Sequence, residues 1–303
     1  MDGLLQLVDA GSFQAYAARV ARNEHLKTQQ LQAYAGMAHD DWVNKLTAFE
    51  EGHDFDRQGS VAVINIRGYL SYAYDFWTWW LDGCSYCGLM NKVNAAANDT
   101  SITKIILNVN SPGGGTIGVI EASDAIFNAR KKKDIVSVLN PEAASAGYWL
   151  AAQANRIVMM ESGFAGSIGA EIDYQSVAGW LKAEGIDVSV IRSEHAPDKN
   201  LGHRLEPISE RATSYFQELC NTAGAKFIEH VARGRGVKEQ VVIDTYGKGR
   251  MLFGSDAVRL GMADAIGNLA DELASGSTSS NGMSAGRKRM NCTRAAADRS
   301  LRI

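Results

Sequence analysis

Apolar and polar positions change rhythm several times along this chain. Through residues 1–50, Leu4, Leu5 and Val8, then Tyr16, Val20, Leu31 and Tyr34, recur at near-helical spacing. That predicts a polar helical extension ending in a Glu50–Gln58 linker. From Gly59 onward short apolar runs take over. Ser60–Arg67 alternates as a strand does, and Lys104–Asn110, Asp134–Leu139, Arg156–Met160 and Asp187–Arg192 predict four more strands. Between them Leu89–Asn98, Ile117–Arg130, Ala144–Ala154 and Gln175–Glu184 carry helical patterns. Repeated alternation of strand and helix predicts an α/β fold with largely parallel pairing. Pro207–Val231 sets Ile208, Ala212, Tyr215, Phe216, Leu219, Ala223, Phe227 and Val231 on one stripe, a long amphipathic helix towards the C-terminal end, with Gly234 and Gly236 to stop it. A short helix at Ser255–Leu260 and a last strand at Met262–Ile266 follow. After Leu273 the run Ser-Gly-Ser-Thr-Ser-Ser-Asn-Gly reads as a flexible linker. Three units result: an extension and linker (1–58), an α/β domain (59–273), and a linker with a tail (274–303).

Composition narrows the class. Hydrophobic residues make up 46% and charged residues 21% of 303, which suits a globular protein with a large core. The net charge of −3 gives the whole chain no nucleic-acid signature. Charge is uneven, however: residues 283–303 carry +5, which leaves −8 on the rest. The tail is read as solvated, with an acidic partner or DNA as its alternative contact. No basic stretch followed by an apolar run opens the chain, and Tyr72–Leu81 is too short to span a bilayer and contains Asp75, so a cytoplasmic protein with no membrane partner is expected. Cys84, Cys87, Cys220 and Cys292 are too few for a disulfide scaffold. Cys84 and Cys87 form a lone C-x-x-C with no second ligand pair at useful spacing, so neither metal nor cofactor is expected. The run Phe76-Trp77-Thr78-Trp79-Trp80 reads equally as core, oligomer contact or substrate groove.

Three small-residue turns, each after a strand, hold the candidate chemistry. Ser111-Pro112-Gly113-Gly114-Gly115 lacks the spacing of a phosphate or dinucleotide loop, which leaves a tight turn or an oxyanion hole of backbone N–H groups. In Ala144-Ser145-Ala146-Gly147, the serine stands at a helix start; taken alone, this favours an N-cap over a nucleophile. Gly166-Ser167-Ile168-Gly169 reads alone as a turn. A nucleophile needs a base. His25, His39, His53, His195, His203 and His230 carry no signature for one, and Lys199 is the one lysine between Lys182 and Lys226.

Taken together and in this order, the motifs resemble the serine–lysine peptidases of family S49, the signal-peptide-peptidase A family, and look closest to the head-maturation proteases of lambda-like phages. The resemblance spans roughly Gly59–Leu273. It implies a ClpP/crotonase-like ββα spiral and a Ser-Lys dyad. On this resemblance Ser145 is the nucleophile and Lys199 the general base. Ser167 orients the lysine, and backbone N–H groups at Gly113, Gly114 and Ala146 bind the oxyanion and substrate. Ala165 replaces the usual threonine, and the segment before Lys199 lacks the usual S-G. Since a polar loop cannot by itself desolvate a lysine, a neighbouring subunit is expected to cover it, in keeping with the family's oligomers. The implied function is an endopeptidase cleaving scaffold, capsid or portal proteins in a procapsid. The alternatives are a soluble bacterial signal-peptide-peptidase-like protease and a non-catalytic assembly factor.

Overall fold

The computed structural model describes residues 6–8, 55–74, 78 and 82–277. Its centre is a mostly parallel sheet. Strands β1 (Gln6–Val8), β2 (Asp56–Gln58), β3 (Val61–Ser71) and β4 (Cys84–Ser85) come first, followed by helix α1 (Tyr86–Asn98). Strand β5 (Lys104–Gly115), helix α2 (Val119–Ala129), strand β6 (Asp134–Ala144), helix α3 (Ala146–Ala151) and strand β7 (Arg156–Met159) repeat the alternation. Then come β8 (Phe164–Gly166), α4 (Ala178–Ala183), the 26-residue α5 (Glu210–Arg235), α6 (Glu239–Thr245), β9 (Met251–Phe253), α7 (Gly254–Leu260), β10 (Ala265–Ile266) and α8 (Leu269–Ser277). The strand order is β10-β7-β6-β5-β3-β2, parallel throughout except for β2.

The period of two along these strands divides the core. Ile105, Leu107 and Val109 of β5 face the larger layer with Ile64, Ile66, Ile135 and Ile157, covered by α1, α2 and α3. Ile106 faces the other side with Val61, Val63, Val136, Val138 and Val158, against Leu269 and Leu273 of α8. An ionic clamp fixes α8 there: Glu272, only 7% exposed, meets Lys104 Nζ at 2.9 Å and Arg156 at 2.5 Å. Helix ends follow from local chemistry. Ser85 Oγ accepts from Gly88 N–H at the start of α1, and Ser209 Oγ from Ala212 N–H at the start of α5. Gly236, in the left-handed region, closes α5.

Two elements depart from the apolar pattern. Asp187–Arg192 is not a strand: it runs without regular structure, with Ile191 93% exposed, because its alternating residues meet no sheet edge. Gln6–Val8, expected within a helix, is a strand paired to β5. The rest of the expected N-terminal extension, the aromatic run apart from buried Thr78, and the tail beyond Ser277 lie outside the described residues. Among the described residues no helix is long and apolar enough to cross a membrane.

Candidate active site

The three motifs meet where β5, β6 and β8 end, and the first, expected as a turn after the strand, forms the last residues of β5 itself. The Ser111 hydroxyl, fully buried, donates to the Gly68 carbonyl at 2.7 Å and accepts from Gly113 N–H at 3.0 Å, which pins the glycine turn. Gly113 has φ 106°, in the range that favours glycine. A Cβ on Gly114 would stand 1.9 Å from the Leu70 carbonyl oxygen, so no other residue fits against β3 there. Gly147 of the second motif lies against the first: its missing Cβ would be 3.1 Å from the Ser111 carbonyl oxygen. The first and second turns are therefore in contact.

Ser145 sits between β6 and α3 with φ 50° and ψ −124°, a conformation strained for any residue with a Cβ. Its N–H donates to the Gly166 carbonyl at 2.8 Å, which joins the second turn to the third. Its side chain makes no capping hydrogen bond. The hydroxyl is buried, at 1% residue exposure, and has no hydrogen-bond partner. The capping role favoured by the motif alone is thus excluded. Ala146, the first residue of α3, carries an N–H with no carbonyl of its own helix to bond. The N–H of Gly113, by contrast, is already held by Ser111 Oγ.

Ser167 follows with φ 54°; its N–H donates to the Arg250 carbonyl at 3.2 Å. β9 pairs antiparallel with β8, Met251 opposite Gly166 and Leu252 opposite Ala165, and so props the third turn. A Cβ on Gly166 would lie 2.4 Å from the Arg250 carbonyl oxygen. No apolar pattern announces this support, since three residues of strand carry too little periodicity to detect.

Lys199 lies elsewhere. It is exposed, in a run of turns after Ser193, and Ser145 Oγ has no partner, so the two side chains are not in hydrogen-bond contact. The lysine loop is nevertheless built. Arg192 Nε donates to the Lys199 carbonyl at 2.7 Å while its guanidinium pairs with Glu206 at 2.5 Å. Asp198 pairs with Arg211 in the first turn of α5, and Gly202 packs on the Phe216 ring. Of the histidines, His195 is exposed, and His203 Nδ1 accepts from Leu205 N–H. His230 is buried, with Nδ1 2.7 Å from Ser123 Oγ; burial, then the neighbouring Arg233, holds its pKa below the ordinary value. None of these three hydrogen-bonds to Ser145 Oγ. Burial raises the Cys84 thiol above its ordinary pKa, and both Cys84 and Cys87 are free. No group of three or more metal-ligating side chains occurs among the described residues.

Against known families, the profile of Peptidase family S49 matches residues 127–281, just over half of the chain, including all of the second and third turns and the lysine loop. The chain belongs to peptidase family S49. Two curated relatives are the head-tail preconnector protein GP5 of Enterobacteria phage P21 and the capsid assembly protease C of Escherichia phage lambda. The first is 26% identical, over 80% of this chain and 48% of the relative. The second is 29% identical, over 62% of this chain and 42% of the relative. The S49 chain thus spans about half the length of these relatives. Among solved structures, the 1510-N membrane protease from Pyrococcus horikoshii, specific for a stomatin homolog, is 16% identical, with a TM-score of 0.42 over 73% of this chain and 80% of that one. At that score the likeness carries no further argument.

Proposed function

We propose that this chain is a serine endopeptidase with Ser145 as nucleophile and Lys199 as general base. The observation that carries the reading is the Ser145 hydroxyl: buried, strained and unpartnered where three glycine-bearing turns converge. An orphaned buried hydroxyl is costly, and a protein keeps one where something else is to use it. In the reaction Lys199, neutral, takes the proton from Ser145 Oγ as the oxygen bonds to a peptide carbonyl carbon. N–H groups of Gly114 and Ala146 hold the resulting oxyanion. The lysine returns the proton to the leaving amine as the C–N bond breaks, and water, deprotonated in the same way, releases the acyl group. Ser167 positions the amine.

Lys199 must first travel to Ser145 and lose solvent, since it is desolvation that disfavours the ammonium form. A second copy of the chain, seated over the lysine loop, supplies that burial in this reading. The 59–273 segment is the peptidase unit. Its substrates are scaffold, capsid or portal polypeptides of a procapsid, a role supported by the two phage relatives. The exposure of Lys199 favours one second reading, an assembly factor without turnover.

The test is cleavage of an unfolded protein, followed by mass spectrometry from neutral to alkaline pH, for the wild type, Ser145→Ala and Lys199→Ala. Loss of cleavage in both variants is the expected result. Cleavage that survives in Lys199→Ala refutes the base, and an inert, fully assembled wild type favours the assembly factor.

A further inference from the structure

Strand β5 has two edges. Along one, β3 stays with it to the end, Tyr69 opposite Gly113 and Leu70 opposite Gly114. Along the other, β6 leaves early: its last paired residue is Ala143, opposite Ser111, and the chain then turns at Ser145 into α3. The edge of Gly113–Gly115 on the Ser145 side is therefore free for another strand. β1 occupies it, antiparallel, with Gln6 opposite Gly115, Leu7 opposite Gly114 and Val8 opposite Gly113. Glycines 113–115 present bare backbone, so the edge selects an extended main chain and little else.

We infer that Gln6–Val8 is a built-in occupant of the polypeptide cleft: a strand of the same chain that must leave before a separate extended polypeptide can pair with Gly113–Gly115. The inference rests on the reading of this edge as the substrate-binding strand of the peptidase. It adds that the chain competes with its own substrate.

The decisive measurement needs no turnover. A fluorescein-labelled peptide of residues 3–11 is titrated into full-length Ser145→Ala and into full-length Ser145→Ala carrying Leu7→Pro and Val8→Pro. Proline removes the donors that hold an added strand. If the resident strand closes the cleft nine-tenths of the time, releasing it tightens apparent peptide binding about tenfold; a gain of about fivefold or more in anisotropy titrations is the expected result. Hydrogen exchange gives a second readout. The Gly114 and Gly115 amides should exchange faster in the proline variant and regain protection when peptide is added. Ala10→Pro, outside the paired residues, controls for folding and should behave as the parent. Equal peptide affinity together with unchanged amide protection overturns the inference. Because both proteins lack the nucleophile, this outcome is independent of whether the wild type cleaves anything.

Discussion

Replacing Ser145 with alanine should make the protein more stable while abolishing cleavage. The hydroxyl is buried with no hydrogen-bond partner, and a buried unsatisfied polar group costs roughly 1–3 kcal/mol. Alanine removes that oxygen and keeps the Cβ, so the strain at φ 50° is unchanged and the two effects separate. The methyl group leaves a gap the size of one oxygen, which offsets a little of the gain, so a net stabilisation of ~1 kcal/mol is expected. For a domain of about 200 residues that is a rise of about 2–4 °C in Tm. Ser145→Gly extends the test. Relief of the positive φ is worth ~1–3 kcal/mol, against ~1 kcal/mol of added chain entropy in the unfolded state. Glycine should therefore be at least as stable as alanine. Differential scanning calorimetry of the three proteins, at matched concentration so that assembly does not differ, reads both effects. A Ser145→Ala protein less stable than the wild type by ~1 kcal/mol or more would refute the reasoning, since it would mean that the hydroxyl already has a partner.

Other expectations follow from the surrounding contacts. Gly114→Ala forces its Cβ against the Leu70 carbonyl, so the strand must shift; a loss of ~3 kcal/mol in chemical denaturation and of cleavage by about a hundredfold or more is expected. Lys199→Ala should leave stability within about 0.5 kcal/mol, because the side chain is exposed, while lowering the cleavage rate by roughly 10²–10⁴-fold. Glu272→Ala leaves Lys104 without its carboxylate and should cost ~3 kcal/mol, with α8 amides losing exchange protection first. Burial pushes the Glu272 carboxyl up, but hydrogen bonds from Lys104 and Arg156 outweigh it and hold the pKa below the ordinary value. Its contribution is therefore complete above the ordinary carboxylate range and is lost as pH falls through the depressed value. A pH series of melting temperatures should show an acid-side decline in the wild type that is shallower in Glu272→Ala.

The parallel strands were readable because burial on both faces writes long apolar runs, as in Lys104–Asn110 and Asp134–Leu139. The stripe from Ala212 to Val231 likewise marked α5. The three turns were visible as motifs, but their convergence was not: it depends on where β5, β6 and β8 end relative to one another. Asp187–Arg192 shows the reverse error. Its alternation is real, yet pairing is decided by an available edge, and none reaches it. Gln6–Val8 fails for the same reason with opposite sign, since a free edge elsewhere in the fold draws a short segment into a strand. For Ser145 the sequence offered a cap, the commoner use of serine at a helix start; only the backbone angles and the unpartnered state of its buried oxygen separate the two uses.

Helix α5 is buried most deeply near one end, at Phe227 and His230–Ala232. Near its C-terminal end Phe227 stacks on Trp149 of α3 at 4.5 Å, and Gly234 lies so close to Ala152 that a Cβ would come within 2.1 Å of its carbonyl oxygen. Its other end holds the Lys199 loop through Arg211 and Phe216, and most of its first four turns are exposed. The helix is thus a boom, stepped at the foot of the Ser145 helix and carrying the lysine at its tip. From Phe227 to Glu210 it runs about 25 Å, so a tilt of about 10° at the foot swings the tip by about 4 Å. With Lys199 as the proposed base, leverage of this kind would turn a slight repacking beneath Trp149 into a lysine delivered or withdrawn.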